Sequence, residues 1–253
     1  MLSLGYVLGF TDRIAPSCHG SFVTGGAQER LMIARSEKLM IPHVYSFPRS
    51  GTHFIMALLK RNFYPNTDLS LDHVMGGHWL EPVGLPETDY GQLFGGHGVP
   101  EGDPPYPAIY LFRDGRDVAV SLWRTKSLQH PSWRGLSFSE FLRKPLDWVG
   151  TPGISGEGVC VVQAWRDHLI QWGMKNAIRV RYEDLLRYPM GTLDMLAARL
   201  DVGPGEYKSV REKVGIEPHK GVAGGWRDVF SEADELFFNL VVPTGFPGLW
   251  EGL

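Results

Sequence analysis

Apolar residues along the chain fall into short solid runs that alternate with stretches where they recur at every third or fourth position. The run Ile41 to Phe47 is β-branched and aromatic and reads as a strand, with Pro42 at its start, where a missing N–H does no harm. A tight turn at Pro48 to Gly51 follows, and Thr52 to Asn62 then places Phe54, Ile55, Leu58 and Leu59 on one helical face. The alternation recurs with a strand at Ala108 to Phe112 and a helix at Arg116 to Thr125, whose inner face is Val118, Ala119 and Leu122. It recurs again with a strand at Ala177 to Tyr182 and, after Pro189, a helix carrying Leu193, Leu196, Ala197 and Leu200. Strands separated by helices pair in parallel through right-handed crossovers, so the pattern predicts an α/β fold with helices on both faces of a central, mostly parallel sheet. Gly76 to Pro107 and Gly150 to Gly158 are rich in glycine and proline and read as loops. Trp165, His168 and Trp172 recur at helical spacing and read as a buried helix face.

Size and composition narrow the class. At 253 residues, with 43% hydrophobic and 21% charged, the chain suits one globular domain over residues 40–253. Residues 1–39 form a lead-in that contains Pro16, Gly20, Gly25 and Gly26 and a short helix at Gln28 to Lys38. The apolar opening from Met1 to Phe10 lacks a basic flank and is too short to span a bilayer, which argues against both a signal peptide and a membrane helix. A net charge of −3 gives no global reason to bind nucleic acid or an anionic membrane, so any anion site is local. The two cysteines, Cys18 and Cys160, make neither a disulfide framework nor a zinc site, and a reducing, cytoplasmic location is expected.

Candidate chemistry concentrates where strands give way to helices. Ser46-Phe47-Pro48-Arg49-Ser50-Gly51-Thr52-His53-Phe54 joins a strand end to a helix N-terminus through a turn holding a cation, hydroxyls and a glycine. Unpaired N–H groups and the positive end of the helix dipole suit a phosphate or sulfate there. The nucleoside-triphosphatase pattern with two glycines and a following lysine is absent, which disfavours ATP or GTP hydrolysis. Arg113 ends the second strand and Ser121 lies two turns into the next helix, so both can approach the same sheet edge. Arg181-Tyr182-Glu183-Asp184-Leu185-Leu186 closes the third strand at that edge, and His219-Lys220-Gly221-Val222-Ala223-Gly224-Gly225-Trp226 is a glycine-rich loop with basic residues.

These four elements, in this order, resemble the 3′-phosphoadenosine 5′-phosphosulfate (PAPS)-dependent sulfotransferase family, whose donor loop reads Tyr-Pro-Lys-Ser-Gly-Thr-Thr-Trp. The resemblance covers roughly Ile41 to Ser231. It implies a three-layer P-loop-like fold and transfer of a sulfuryl group to a hydroxyl of a small molecule, with 3′-phosphoadenosine 5′-phosphate (PAP) as product. It also implies that Arg49, Ser50, Gly51, Thr52 and His53 hold the 5′-phosphosulfate, with Arg49 donating to the bridging oxygen. Arg113, Ser121, His219, Lys220 and Gly221 correspond to the 3′-phosphate ligands, Phe54 to the tryptophan that stacks on adenine, and Tyr182 to the edge of that base. The chain departs from the pattern with Arg49 for lysine, His53 for threonine, Phe54 for tryptophan and His219 for an arginine. Arginine at position 49 also resembles the carbohydrate sulfotransferases, and a noncatalytic adenine-nucleotide-binding protein is a third reading.

Transfer to a hydroxyl needs a base. His97, in Gly96-His97-Gly98-Val99-Pro100, resembles the family's Thr-His-Leu-Pro segment, and His78 in Gly76-Gly77-His78-Trp79 is its rival. Asp114, Asp117, Glu183 and Asp184 are scattered in chain position, so no metal is expected and they are assigned to capping and ion pairing. Trp79, Trp133 and Trp148 are candidates for a lid over an apolar or aromatic acceptor. Neither the acceptor's identity nor the oligomeric state is readable from the residues.

Overall fold

Four parallel strands, β1 (His43–Ser46), β2 (Gly95–Gly96), β3 (Ala108–Phe112) and β4 (Ile178–Arg181), form a sheet in the order β2-β1-β3-β4. The structure is a computed structural model that describes residues 42–65, 95–104, 107–125, 131–145, 158–203, 206–210 and 221–246. The lead-in at 1–39, His78, Trp79, Trp148, His219 and Lys220 lie outside the described residues. In register, His43 to Ser46 face Ala108 to Leu111, and Ile109 to Phe112 face Ile178 to Arg181. The chain leaves β1 for one neighbour and later returns to its other side as β3. The carboxyl ends of β1 and β3 therefore flank a topological switch point, the crevice where open α/β sheets take their ligands.

The helices are α1 (Thr52–Phe63), α2 (Gly115–Arg124), α3 (Phe138–Arg143), α4 (Val161–Gly173), α5 (Tyr182–Arg187), α6 (Pro189–Leu200) and α7 (Glu232–Val241). Strand side chains alternate between faces. Val44, Ile109, Leu111 and Val180 point to one side and pack with Ile55, Met56 and Leu59 of α1 and Leu193 and Leu196 of α6. Tyr45, Ala108 and Tyr110 point to the other and meet Leu169 and Trp172 of α4. Burying each such large apolar side chain contributes about 1.5–3 kcal/mol, which is why both faces are covered. A further cluster joins α2, α3, α4 and α7 through Val118, Leu122, Phe141, Trp165, Trp226 and Phe238.

Three expectations are corrected. Tyr182 does not close a strand: β4 stops at Arg181 and Tyr182 opens α5, where Glu183 and Asp184 complement the positive end of the helix dipole. Gly95 and Gly96, read as loop, pair in parallel with Val44 and Tyr45; glycines carry no side-chain pattern, so only the pairing reveals the strand. Trp133 is a core residue rather than a lid, packed against Phe141 with ring centroids 5.6 Å apart.

Candidate functional site

The site is assembled from the segments that leave the carboxyl ends of β1, β2, β3 and β4. At the end of β1, Ser46 Oγ hydrogen-bonds Thr52 Oγ1, stapling the strand to the first residue of α1 across the intervening loop. Ser50 N–H donates to Phe47 C=O at 3.2 Å and tightens that loop. Arg49 and Gly51 both sit in the left-handed region, at φ 69° and 101°. For Gly51 the need is steric as well, because a Cβ there would lie 2.5 Å from the Tyr182 ring. No side chain caps the N-terminus of α1 and no acidic residue occupies its first turn, so the loop presents the positive end of a twelve-residue helix. The Ser50 hydroxyl is fully buried and has no hydrogen-bond partner among the described residues.

Arg113 leaves β3 and turns onto this loop. Its Nη1 donates to Arg49 C=O at 3.2 Å and its Nη2 to Val222 C=O at 3.0 Å. Its guanidinium lies 4.7 Å over the Tyr182 ring, and its buried Nε has no partner among the described residues. From the loop side, Arg49 Nε donates to Ser121 Oγ at 3.2 Å. Phe54 meets the Tyr182 ring edge-on at 6.3 Å, and a Cβ on Gly221, which has φ 63°, would lie 3.2 Å from the Tyr182 hydroxyl. Arg49, Ser50, Gly51, Arg113, Ser121, Tyr182 and Gly221, far apart in sequence, thus converge on one place. Two orphaned polar groups, two cations and a helix N-terminus without a side-chain cap suit this place to an anion.

The carboxylates build the frame. Asp114 caps α2 by accepting from Arg116 N–H at 2.9 Å and pairs with the Arg116 guanidinium at 2.6 Å. Asp114 N–H in turn donates to Glu183 Oε1 at 3.0 Å. Burial pushes the Glu183 carboxyl up to about 7, against the hydrogen bond from Asp114. Asp117 accepts from the backbone N–H groups of Gly224 at 2.7 Å and Trp226 at 3.0 Å, tying the glycine-rich loop to α2. The assignment to capping and pairing fits Asp114 and Asp117, whereas Glu183 accepts the Asp114 backbone N–H and forms no ion pair among the described residues. Among the described residues no group of histidine, cysteine and carboxylate side chains could hold a metal ion.

His97 follows β2 and is buried beside the end of β1. Its Nδ1 lies 2.8 Å from Ser46 C=O. A carbonyl only accepts, so Nδ1 carries the proton and Nε2 the lone pair of the neutral ring. Three residues of α4 that sequence reading gave to packing prove to do more. Trp165 Nε1 donates to Arg113 C=O at 3.2 Å, His168 Nε2 to His97 C=O at 3.0 Å, and Trp172 Nε1 to Gly98 C=O at 3.2 Å. The legible signal was three ring N–H donors on one buried helical face, each needing an acceptor.

No family model matches the chain. Cytosolic sulfotransferase 3 of Arabidopsis thaliana is 28% identical over 170 residues, covering 61% of this chain and 51% of that protein. The chain therefore spans about half the length of this curated relative. Among solved structures, a mouse sulfotransferase complexed with PAP superposes with a TM-score of 0.51 at 17% identity, covering 81% of this chain and 88% of the other. Retinol dehydratase, in complex with androsterone and PAP, gives a TM-score of 0.52 at 17% identity, covering 81% and 80%. The fold is that of the sulfotransferases. The likeness to a cytosolic sulfotransferase in sequence accompanies this likeness in architecture. No described helix is long and apolar enough to cross a membrane.

Proposed function

We propose that the chain is a PAPS-dependent sulfotransferase that passes a sulfuryl group in line to a hydroxyl of a small acceptor. The observation that supports it most is the convergence of the Arg49 loop with Arg113 and Ser121, seen in the Arg49–Ser121 and Arg113–Arg49 hydrogen bonds. A doubly anionic nucleotide needs cationic and N–H donors at two separated groups, and two arginines around an uncapped helix N-terminus supply them. In this reading Arg49, Ser50, Gly51, Thr52 and His53 bind the phosphosulfate, and Arg113, Ser121 and Gly221, with His219 and Lys220, bind the 3′-phosphate. Phe54 and Tyr182 flank the base, consistent with their edge-on contact.

The acceptor oxygen forms its bond to sulfur as the bond from sulfur to the bridging oxygen breaks, and PAP leaves with that electron pair. His97 takes the acceptor's proton at Nε2, the nitrogen left basic by the bond from Nδ1 to Ser46. Arg49 stabilises the charge that gathers on the leaving phosphate. The neighbours' complexes with retinol and androsterone support an apolar hydroxylated acceptor.

Incubation with PAPS and a panel of phenols, alcohols and sugars should release PAP; no release with any acceptor would leave a binding protein only. Arg113→Ala should weaken PAP by about 10- to 100-fold, the loss of charge-assisted hydrogen bonds. It should weaken the analogue lacking the 3′-phosphate much less. Equal losses in calorimetry would contradict the assignment of Arg113.

A further inference from the structure

Residues of α4 reach two site segments through three ring N–H groups. Trp165 holds the carbonyl of Arg113, His168 that of His97 and Trp172 that of Gly98. His168 also meets Phe47, the first residue of the cradle loop, edge-on with ring centroids 5.5 Å apart. Its other nitrogen, Nδ1, lies 2.9 Å from the Tyr110 hydroxyl. Because His97 C=O can only accept, His168 Nε2 carries the proton; Nδ1 is then the acceptor and Tyr110 O–H the donor. Tyr110 is itself pinned by stacking on Trp172, with ring centroids 5.0 Å apart and planes within 7°. Every polar atom of the Tyr110–His168 pair is thereby committed, in a fully buried place where a lost partner is costly.

We propose that His168 is a positioning residue for the base: with its tautomer set by Tyr110, it grips the His97 backbone from below while Ser46 grips the ring. His97 is then held at both its carbonyl and its Nδ1, which leaves the direction of Nε2 no freedom to drift. The proposal rests on the reading of His97 as base. Burial holds the His168 ring well below its ordinary range, at about 4, so it stays neutral and keeps this bonding pattern near neutral pH. A second imidazole so placed moves no proton itself.

The test exploits the two amides that mimic one ring nitrogen each. His168→Gln keeps a donor at the Nε2 position, and His168→Asn keeps only a group at the Nδ1 position. In ¹⁵N-histidine NMR, His97 should show the Nδ1–H tautomer in the wild type and in His168→Gln, and a mixture of tautomers in His168→Asn. Turnover, followed as PAP release from PAPS with an acceptor of the panel, should fall within about threefold for Gln and at least tenfold for Asn, since a displaced catalytic group can cost about a hundredfold. PAP affinity should be unchanged in both, which separates positioning from loss of the fold. In a His97→Ala background, where turnover should already be about 10²-fold or more lower, His168→Asn should cost nothing further.

Full turnover in His97→Ala would overturn the base assignment and this inference with it. A loss in His97→Ala together with equal behaviour of the Gln and Asn variants would overturn the inference alone. PAP affinity falling in step with turnover would make His168 a packing residue only. Should His168→Asn not fold, Tyr110→Phe removes just the donor to Nδ1; an unchanged His168 tautomer and unchanged turnover in that variant would overturn the inference. The NMR readout requires no acceptor and decides the point by itself.

Discussion

Gly51 shows how much of the site is decided by one missing methyl. Its φ of 101° costs any L side chain roughly 1–2 kcal/mol, and the Tyr182 ring fills the space where a Cβ would go. That ring also carries the Arg113 guanidinium on its face, so displacing it would move the cation as well. Gly51→Ala is therefore expected to lower stability by about 2 kcal/mol or more, from the backbone strain and the clash together. It should also weaken PAP, whereas Gly203→Ala, where nothing lies within 4 Å of the added carbon, should do neither. Urea unfolding of the two variants checks this; equal midpoints would remove the steric argument. Arg49, the other left-handed residue of the loop, has no comparable reason in its own chemistry, and its backbone is explained by the turn it must make between β1 and α1.

At the scale of elements, the joints carry the function. α2 begins on the Asp114 cap and holds the glycine-rich loop with Asp117, whose two accepted N–H bonds, from Trp226 in a buried place and from Gly224 in a part-buried one, are charge-assisted. Each is worth about 1.5–3 kcal/mol, so Asp117→Ala should loosen the loop rather than the sheet. Hydrogen exchange should then rise by at least about tenfold at the Gly224 and Trp226 amides while β3 amides stay protected; uniform acceleration would mean that Asp117 supports the whole domain instead. The elements themselves were largely legible, because β1, β3, α1, α2 and α6 write their burial as period and apolar run. β2 was not, since two glycines show no pattern, and α5 was masked by a β-rich lead from Ile178 to Tyr182. The cradle residues were legible through chemistry that needs a strand–turn–helix joint. The role of α4 was not, because a tryptophan or histidine on an apolar face looks the same whether its ring N–H serves the core or a neighbouring segment.

At the scale of the whole molecule, burial shifts Glu183 and His168 in directions whose effects on stability oppose each other. Glu183 has its pKa raised from 4.5 to about 7 by burial, so the native state holds that proton more tightly than the unfolded chain. Its contribution is present below pH 4.5 and is lost as pH rises through about 7. His168 is lowered from 6.5 to about 4, so its contribution is present above pH 6.5 and is lost as pH falls toward 4. Between pH 4.5 and 6.5 the two slopes cancel in part. Glu183→Gln keeps an amide oxygen for the Asp114 N–H and removes only the titration, so its stability should climb with pH across that window more steeply than the wild type's. The gap should widen to a few kcal/mol by pH 7, because a tenfold change in proton affinity between the folded and unfolded states is worth about 1.4 kcal/mol. Parallel curves from denaturant unfolding at several pH values would show that folding does not shift the Glu183 carboxyl.

Ser46 occupies the last position of β1, beside the switch point, and its two oxygens face different neighbours: the hydroxyl meets Thr52 and the carbonyl meets His97. One residue is thus the common datum for the β1–α1 loop and for the His97 ring. A shift of Ser46 carries both along together, so under the proposed function the gap that a travelling sulfuryl group would cross keeps its width even when the surrounding sheet breathes.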